Sequence, residues 1–140
     1  MMSVMKSFET QIRVEYHHTD QMGIVHHSNY VKFFEVARTE WLRASGLTYA
    51  EMERRCVMMP IVEVQVKYRM PAYYDELITV KAMVEELPMA RMTFKYEVRG
   101  EDGRDIASGL TTLGFIDSTT RRPQRVPAWL MEVLEREFNK

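Results

Sequence analysis

Four strand-like runs in succession, all placed after one long helical stretch, constrain this chain more than any other feature. Val62, Val64, Val66 and Tyr68 alternate without interruption against Glu63, Gln65, Lys67 and Arg69, the period that turns one face of a strand to a core and the other to water. Pro71 ends that run, and Ile78, Val80, Ala82 and Val84 resume it. After a turn near Leu87-Pro88, Met92, Phe94, Tyr96 and Val98 alternate with Thr93, Lys95 and Glu97. Gly100-Glu101-Asp102-Gly103 then has the composition of a hairpin connection into a last strand over Ile106 to Ile116. Gly109 and Gly114 inside that strand predict a bulge or the close approach of another backbone. Strands that follow one another, instead of alternating with helices, define an α+β chain.

The upstream half supplies what such a sheet must cover. Phe8, Ile12, Val14 and Tyr16 fall at even positions between polar residues, which predicts a first strand over Phe8 to Tyr16. Tyr30, Phe33, Phe34, Ala37 and Trp41 share one helical face, and Val31, Val36 and Leu42 widen it, so this helix is expected to be buried on more than one side. Ser28 or Asn29 can cap it, Gly46 suits the position just past its end, and Arg38 and Arg43 lie toward its negative end. Thr48-Tyr49-Ala50-Glu51 matches a capping box for a short second helix to about Arg55. Pro127 opens a terminal helix with Leu130, Val133, Leu134 and Phe138 at helical spacing, after a basic irregular linker at Arg121-Arg122-Pro123. The expected architecture is a five-stranded antiparallel sheet curved around one long helix, in a single domain spanning residues 1–140.

Composition excludes several classes. A chain of 140 residues that is 46% apolar and 28% charged is long enough to bury a full core without staples. No stretch approaches the roughly 18 apolar residues of a membrane span, and Met1 to Thr10 lacks the apolar region of a secretory signal, so a cytoplasmic protein is expected. A net charge of −1 argues against general nucleic-acid binding. The single cysteine, Cys56, forms no internal disulfide and is expected to be a small buried hydrophobe. The twelve methionines form no helical stripe and read as adaptable core filler.

Between the first strand and the long helix, His17 to His27 breaks every periodicity and holds all four histidines with Asp20 and Gly23. A loop of about a dozen residues is long enough to be functional, and it runs into a helix N-terminus whose free N–H groups polarise an oxygen. Two histidines with Asp20 would make a three-ligand metal site, but the spacing fits no standard ligand pattern, so no metal and no cofactor is expected.

The run Tyr16-x-x-Thr19-Asp20-x-Met22-Gly23-x-Val25-x-His27-x-Asn29-Tyr30-x-x-x-Phe34-Glu35-x-Ala37-Arg38, with Tyr68-x-x-Pro71-Ala72 and Asp75 further on, resembles the 4-hydroxybenzoyl-CoA thioesterase-like hotdog family. The resemblance covers about Phe8 to Phe138. It implies the hotdog fold, dimers joined through a continuous sheet and often paired as tetramers, and metal-free hydrolysis of acyl-CoA. It also implies that Asp20 is the catalytic carboxylate, as nucleophile or general base, flanked by Tyr16 and His27, with the amide near the helix start polarising the carbonyl. Gly23, Asn29 and Tyr30 are then candidates for substrate contact, and Arg91 is the preferred cation for the coenzyme A phosphates among Lys67, Arg69, Arg91, Arg121 and Arg122. Tyr16 at a strand end also reads as core, and Glu35 either as a second carboxylate or as an i, i+3 partner of Arg38. The competing functional class is a non-catalytic acyl-thioester binding protein of the same fold.

Overall fold

The computed structural model describes residues 6–139; the start of the segment read as lacking a leader, residues 1–5, lies outside them. Strand β1 spans Lys6–Arg13, and helix α1, Asn29–Ala44, is followed by helix α2, Tyr49–Arg54. Then come β2 (Val57–Met58), β3 (Ile61–Tyr68), β4 (Leu77–Val84), β5 (Arg91–Arg99), β6 (Asp105–Asp117), β7 (Pro123–Gln124) and helix α3 (Ala128–Phe138). The five long strands form one antiparallel sheet in the order β1-β4-β5-β6-β3, and β2 and β7 pair with the far end of β6. Two short strands therefore join the five expected, one of them inside the linker read as irregular. Two-residue strands carry no period, so alternation does not reveal them.

The alternation of each central strand becomes its burial pattern. Ile78, Val80, Ala82 and Val84 of β4 and Met92, Phe94, Tyr96 and Val98 of β5 are all buried, and α1 lies across them with Tyr30, Phe33, Phe34, Ala37, Trp41 and Leu42 buried. Phe34 stacks on Tyr96 with ring centres 4.2 Å apart, and Trp41 meets Phe94 edge-on at 5.3 Å. Gly46, at φ +84°, follows the helix end in the left-handed conformation expected of it.

Gly109 is where β6 lets α1 come close. A Cβ there would lie 2.2 Å from the Gln65 carbonyl oxygen and 2.7 Å from the Phe34 ring. The close approach of another backbone expected at a glycine in this strand is that of Gln65 on β3, and the Phe34 ring of α1 packs into the same space. Gly109→Ala forces both neighbours to move, and overpacking of this kind costs on the order of 3 kcal/mol. A chemical-denaturation series is expected to show that loss, whereas the same change at Gly114, whose nearest neighbour is a Val62 methyl at 3.6 Å, is expected to be mild.

Several sequence expectations are corrected. Cys56 is exposed, at φ +62° in the turn between α2 and β2, so it fills no core space. The first strand stops at Arg13, and Tyr16, which begins a 3₁₀ turn over Tyr16–His18, is 80% exposed, so it is no core residue. Ser28 takes the N-cap position of α1 without a side-chain cap bond. Val36 is exposed, so the buried surface of α1 is narrower than its apolar content. Arg38 is buried, not set out at the negative end of the helix. Its Nε donates to the Tyr49 hydroxyl at 2.9 Å and its Nη1 to the Tyr96 hydroxyl at 3.3 Å, while Thr111 sits 2.6 Å from that same phenol. Burial works against the Arg38 charge, and the two tyrosines outweigh it. Glu35 lies 3.9 Å from Arg38, as the pairing reading has it.

Candidate active site

The loop between β1 and α1 owes its shape to short hydrogen bonds. The Gly23 N–H donates to the Asp20 carbonyl at 3.0 Å, closing a turn over 20–23, and Gly23 takes φ +77°. Inside that turn the Met22 N–H donates to Asp20 Oδ1 at 2.8 Å, which fixes the carboxylate in the manner of an Asx turn. The Asp20 N–H donates to the Ile24 carbonyl at 2.9 Å. One carboxylate oxygen is thus held, and Oδ2 has no partner among the described residues.

The same loop is tied down on its far side. Ile24 bridges to Tyr73, the Val25 N–H donates to the Ala72 carbonyl at 2.9 Å, and the Tyr74 N–H donates to the Gly23 carbonyl at 3.3 Å. Strand-like pairing between the Asp20 loop and the 71–74 segment explains why the Pro71-Ala72 and Gly23 positions belong to one site although they lie far apart in sequence.

At the helix start the amides are mostly spoken for. The Ser28 N–H donates to His26 Nδ1, the Asn29 N–H to the His26 carbonyl and the Tyr30 N–H to the His27 carbonyl. The His27 N–H has no acceptor among the described residues. It is the amide left free to meet an incoming oxygen, and it stands at the electropositive end of α1. Tyr68 pins the next peptide by donating its hydroxyl to the His27 carbonyl at 3.3 Å, with its ring edge-on to those of His27 and Tyr30.

The remaining expected residues separate into groups. Tyr16 meets Tyr74 edge-on at 5.8 Å, and both rings are exposed, as are Met22 in the loop and Tyr73 in the segment paired with it. The His27 ring is exposed and lies on His26 at 4.1 Å. Asn29 and Tyr30 are buried: Asn29 Nδ2 donates to the His18 carbonyl at 2.8 Å, and burial pushes the Tyr30 phenol up to about 12. Asn29 thereby ties the start of α1 to the loop.

Arg91 lies elsewhere in the chain. It is exposed at the start of β5, paired with Gly114, near the Ile61 end of β3 and on the order of 20 Å along that strand from Tyr68. It borders a cleft of about 300 Å³ with Glu85, Leu87 and Lys95, and a second of about 520 Å³ with Pro60, Val62, Phe115 and Arg125. Sequence reasoning passed over Tyr68 as a site residue, and it passed over Glu76 and Arg104 behind the 71–74 segment. Tyr68 carried a signal, since it closes the clearest strand two residues before Met70-Pro71.

For a metal, the donor atoms of Glu15, His17 and His18 lie within 4.8 Å of one another, and Asp20 is not in that group. The trio is internally satisfied: His17 Nε2 sits 2.6 Å from Glu15 Oε2, and the Glu15 N–H donates to His18 Nδ1 at 2.9 Å. Burial first, then the neighbouring His17, holds His18 below the ordinary histidine pKa. A lowered folded value means the unfolded chain takes up the proton first, so this contribution is complete above about pH 6.5 and drains as the pH falls below it. Thermal melts between pH 8 and 5 are expected to show that decline, and His18→Gln to flatten it.

Residues 14–134 match the Thioesterase-like superfamily. The chain belongs to that superfamily. Among thioesterase-like proteins it is 34% identical to a putative acyl-CoA thioesterase of Bacillus subtilis, over 81% of this chain and 82% of that one. Its structure is similar to that of a DHNA-CoA thioesterase from Staphylococcus aureus, at a TM-score of 0.85 and 34% identity over 93% of this chain and 89% of that chain. A hypothetical protein from Thermus thermophilus is equally near in shape, with a TM-score of 0.85 and 35% identity over 93% and 96% of the two chains. The fold is the hotdog fold, with α1 wrapped by the antiparallel sheet. No helix among the described residues is long and apolar enough to cross a membrane.

Proposed function

We propose that this thioesterase-like protein hydrolyses acyl-CoA to a free acid and the coenzyme thiol, with Asp20 as the catalytic carboxylate and the His27 N–H as the oxyanion donor. The observation that carries the reading is local. One short loop presents a carboxylate oxygen, Asp20 Oδ2, and an amide at a helix N-terminus, both without a partner among the described residues. A thiolate with a reference pKa near 8.5 departs without a strong general acid, so a carboxylate and an oxyanion donor meet the chief demands of the reaction. The carboxylate either attacks the carbonyl carbon or takes a proton from the water that does.

The working unit in this reading is a dimer. Among the described residues β3 pairs on one side only, with β6, and its residues Ile61, Val62, Val64 and Tyr68 are exposed. Val64 pairs with buried Thr111 and Val66 with Gly109, so their side chains face the helix side of the sheet, where α1 leaves Val64 uncovered. An apolar open edge invites a second strand. Two copies pairing β3 antiparallel about Gln65 would bring the Val62 end of one beside the Tyr68 end of the other. Arg91 and Arg125 of one copy then come toward the Asp20 loop of its mate, where guanidinium groups suit the coenzyme's phosphates.

The test is thiol release from a panel of short-chain, long-chain and aromatic acyl-CoA substrates, each compared with its acyl carrier protein thioester. Turnover of at least one substrate is expected. Tight binding of every thioester without turnover would support the binding-protein reading instead.

A further inference from the structure

The segment that braces the Asp20 loop is itself held by one ion pair at the same end of the sheet, where β1 ends and β4 and β6 begin. Arg104 Nη2 lies 2.7 Å and 2.9 Å from the two oxygens of Glu76, and its Nη2 and Nε both donate to the Pro71 carbonyl, at 3.0 Å and 3.3 Å. Asp102 holds the other arm of the guanidinium at 2.8 Å. Glu76 is as fully engaged: Oε1 accepts from the Tyr73 N–H at 3.1 Å and Oε2 from the Glu101 N–H at 3.1 Å. Both side chains are largely buried, and Arg104 also lies over the Tyr73 ring, 5.5 Å from its centre. The turn between Pro71 and Glu76 is therefore stapled at both ends to the β5–β6 hairpin.

The opposite side of that turn is the surface on which the catalytic loop rests. Ala72 accepts from Val25, Tyr73 bridges Ile24, and Tyr74 donates to Gly23; the Ile24 carbonyl in turn receives the Asp20 N–H. A continuous series of hydrogen bonds runs from the guanidinium through the turn to the backbone of Asp20. Neither Arg104 nor Glu76 lies within that loop, and neither is part of the catalytic pair named above.

We propose that Glu76 and Arg104 are positioning residues for the reaction: the pair sets the height of the Pro71–Glu76 turn, and through it the placement of Asp20 relative to the His27 amide. The proposal rests on the catalytic reading of Asp20. Misplacement of a reacting group by about 1 Å costs on the order of 100-fold in rate, so loss of the staple is expected in kcat and not in KM, because Glu76 and Arg104 bond to the turn, to each other and to the β5–β6 hairpin and not to Arg91 or Arg125, to which the coenzyme's phosphates are assigned. Arg104→Ala is expected to lower kcat by about 10- to 100-fold with KM within about threefold of wild type. Arg104→Lys keeps the charge but loses the fork, and is expected to fall between the two.

The decisive readouts are ones that simple destabilisation would not move. Free guanidinium added to Arg104→Ala at a temperature well below its melting point is expected to restore kcat at least fivefold, and methylammonium to restore none. Amide exchange is expected to quicken at Val25 and Asp20 while β4 and β5 stay protected. If Arg104→Ala does not fold, Arg104→Lys and Glu76→Gln carry the same comparison of kcat with exchange. Loss of turnover in Asp20→Ala, with folded Arg104 and Glu76 variants within twofold of wild type, would overturn the positioning role alone. Undiminished turnover in Asp20→Ala would overturn the catalytic reading and this proposal with it.

Discussion

Asp20→Asn is expected to lower kcat for acyl-CoA hydrolysis by about 10²- to 10⁴-fold, the range that a positioned acid–base group contributes. The substitution keeps the size of the side chain and an oxygen able to accept from the Met22 N–H, so the turn over 20–23 is expected to survive and the melting temperature to move little. That separation matters, because Asp20 is both a turn residue and the proposed reacting group. Asp20→Ala removes the turn bond as well, and is expected to lose some stability in addition to its activity. Single-turnover hydrolysis in ¹⁸O water with hydroxylamine trapping distinguishes the two chemical roles: label entering the Asp20 carboxylate, or an Asp20 hydroxamate, identifies a nucleophile, and label in the product acid with neither identifies a general base.

The second large effect concerns the open edge of β3. Val64→Lys puts a charge on an apolar side chain that faces the helix side of the sheet and is still exposed in the single chain. In one copy alone the lysine stays in water, and the fold is expected to be unaffected. In a dimer related by a twofold axis the substitution occurs twice. Burying two unpaired charges at a cost of at least about 2 kcal/mol each weakens association by about 10³-fold. Sedimentation at micromolar concentration is expected to show a dimer or tetramer for wild type and a monomer for the variant. If Arg91 serves the mate's active site, KM is expected to rise together with dissociation. A fully active monomer would sever that link.

Much of the fold was legible because its long elements bury one face each. Phe94, Tyr96 and Val98 alternate in sequence and are buried together, and the helical face from Tyr30 to Trp41 is buried against them. Where the reading faltered, a single side chain decided the outcome. Arg38 looks like a surface helix charge until Tyr49 and Tyr96 are found within reach, and their distance along the chain hides them. Cys56 looks like a core filler, yet the turn it occupies faces water. Tyr16 continues the alternation of β1 in sequence, while the chain has already left the sheet at Arg13.

The candidate site divides in the same way. Asp20 and His27 stood out in sequence by motif, and the loop between β1 and α1 carries both, with Asp20 Oδ2 and the His27 N–H without partners among the described residues. The amide left free belongs to His27, ahead of the first residues of α1, because Ser28, Asn29 and Tyr30 spend theirs on His26 and His27. Side-chain type says nothing about which backbone N–H remains unpaired. The same holds for the Glu76–Arg104 staple, whose partners lie 28 residues apart and meet only because β4, β5 and β6 run as consecutive hairpins.

The most direct test of the central claim is a crystal structure with a non-hydrolysable acyl-CoA analogue that keeps the carbonyl and replaces the sulfur with a methylene. The account predicts the carbonyl oxygen within about 3 Å of the His27 nitrogen and an Asp20 oxygen within about 3.5 Å of the carbonyl carbon, or of a water held beside it. A carbonyl bound away from both groups, with the coenzyme fully ordered, would contradict it.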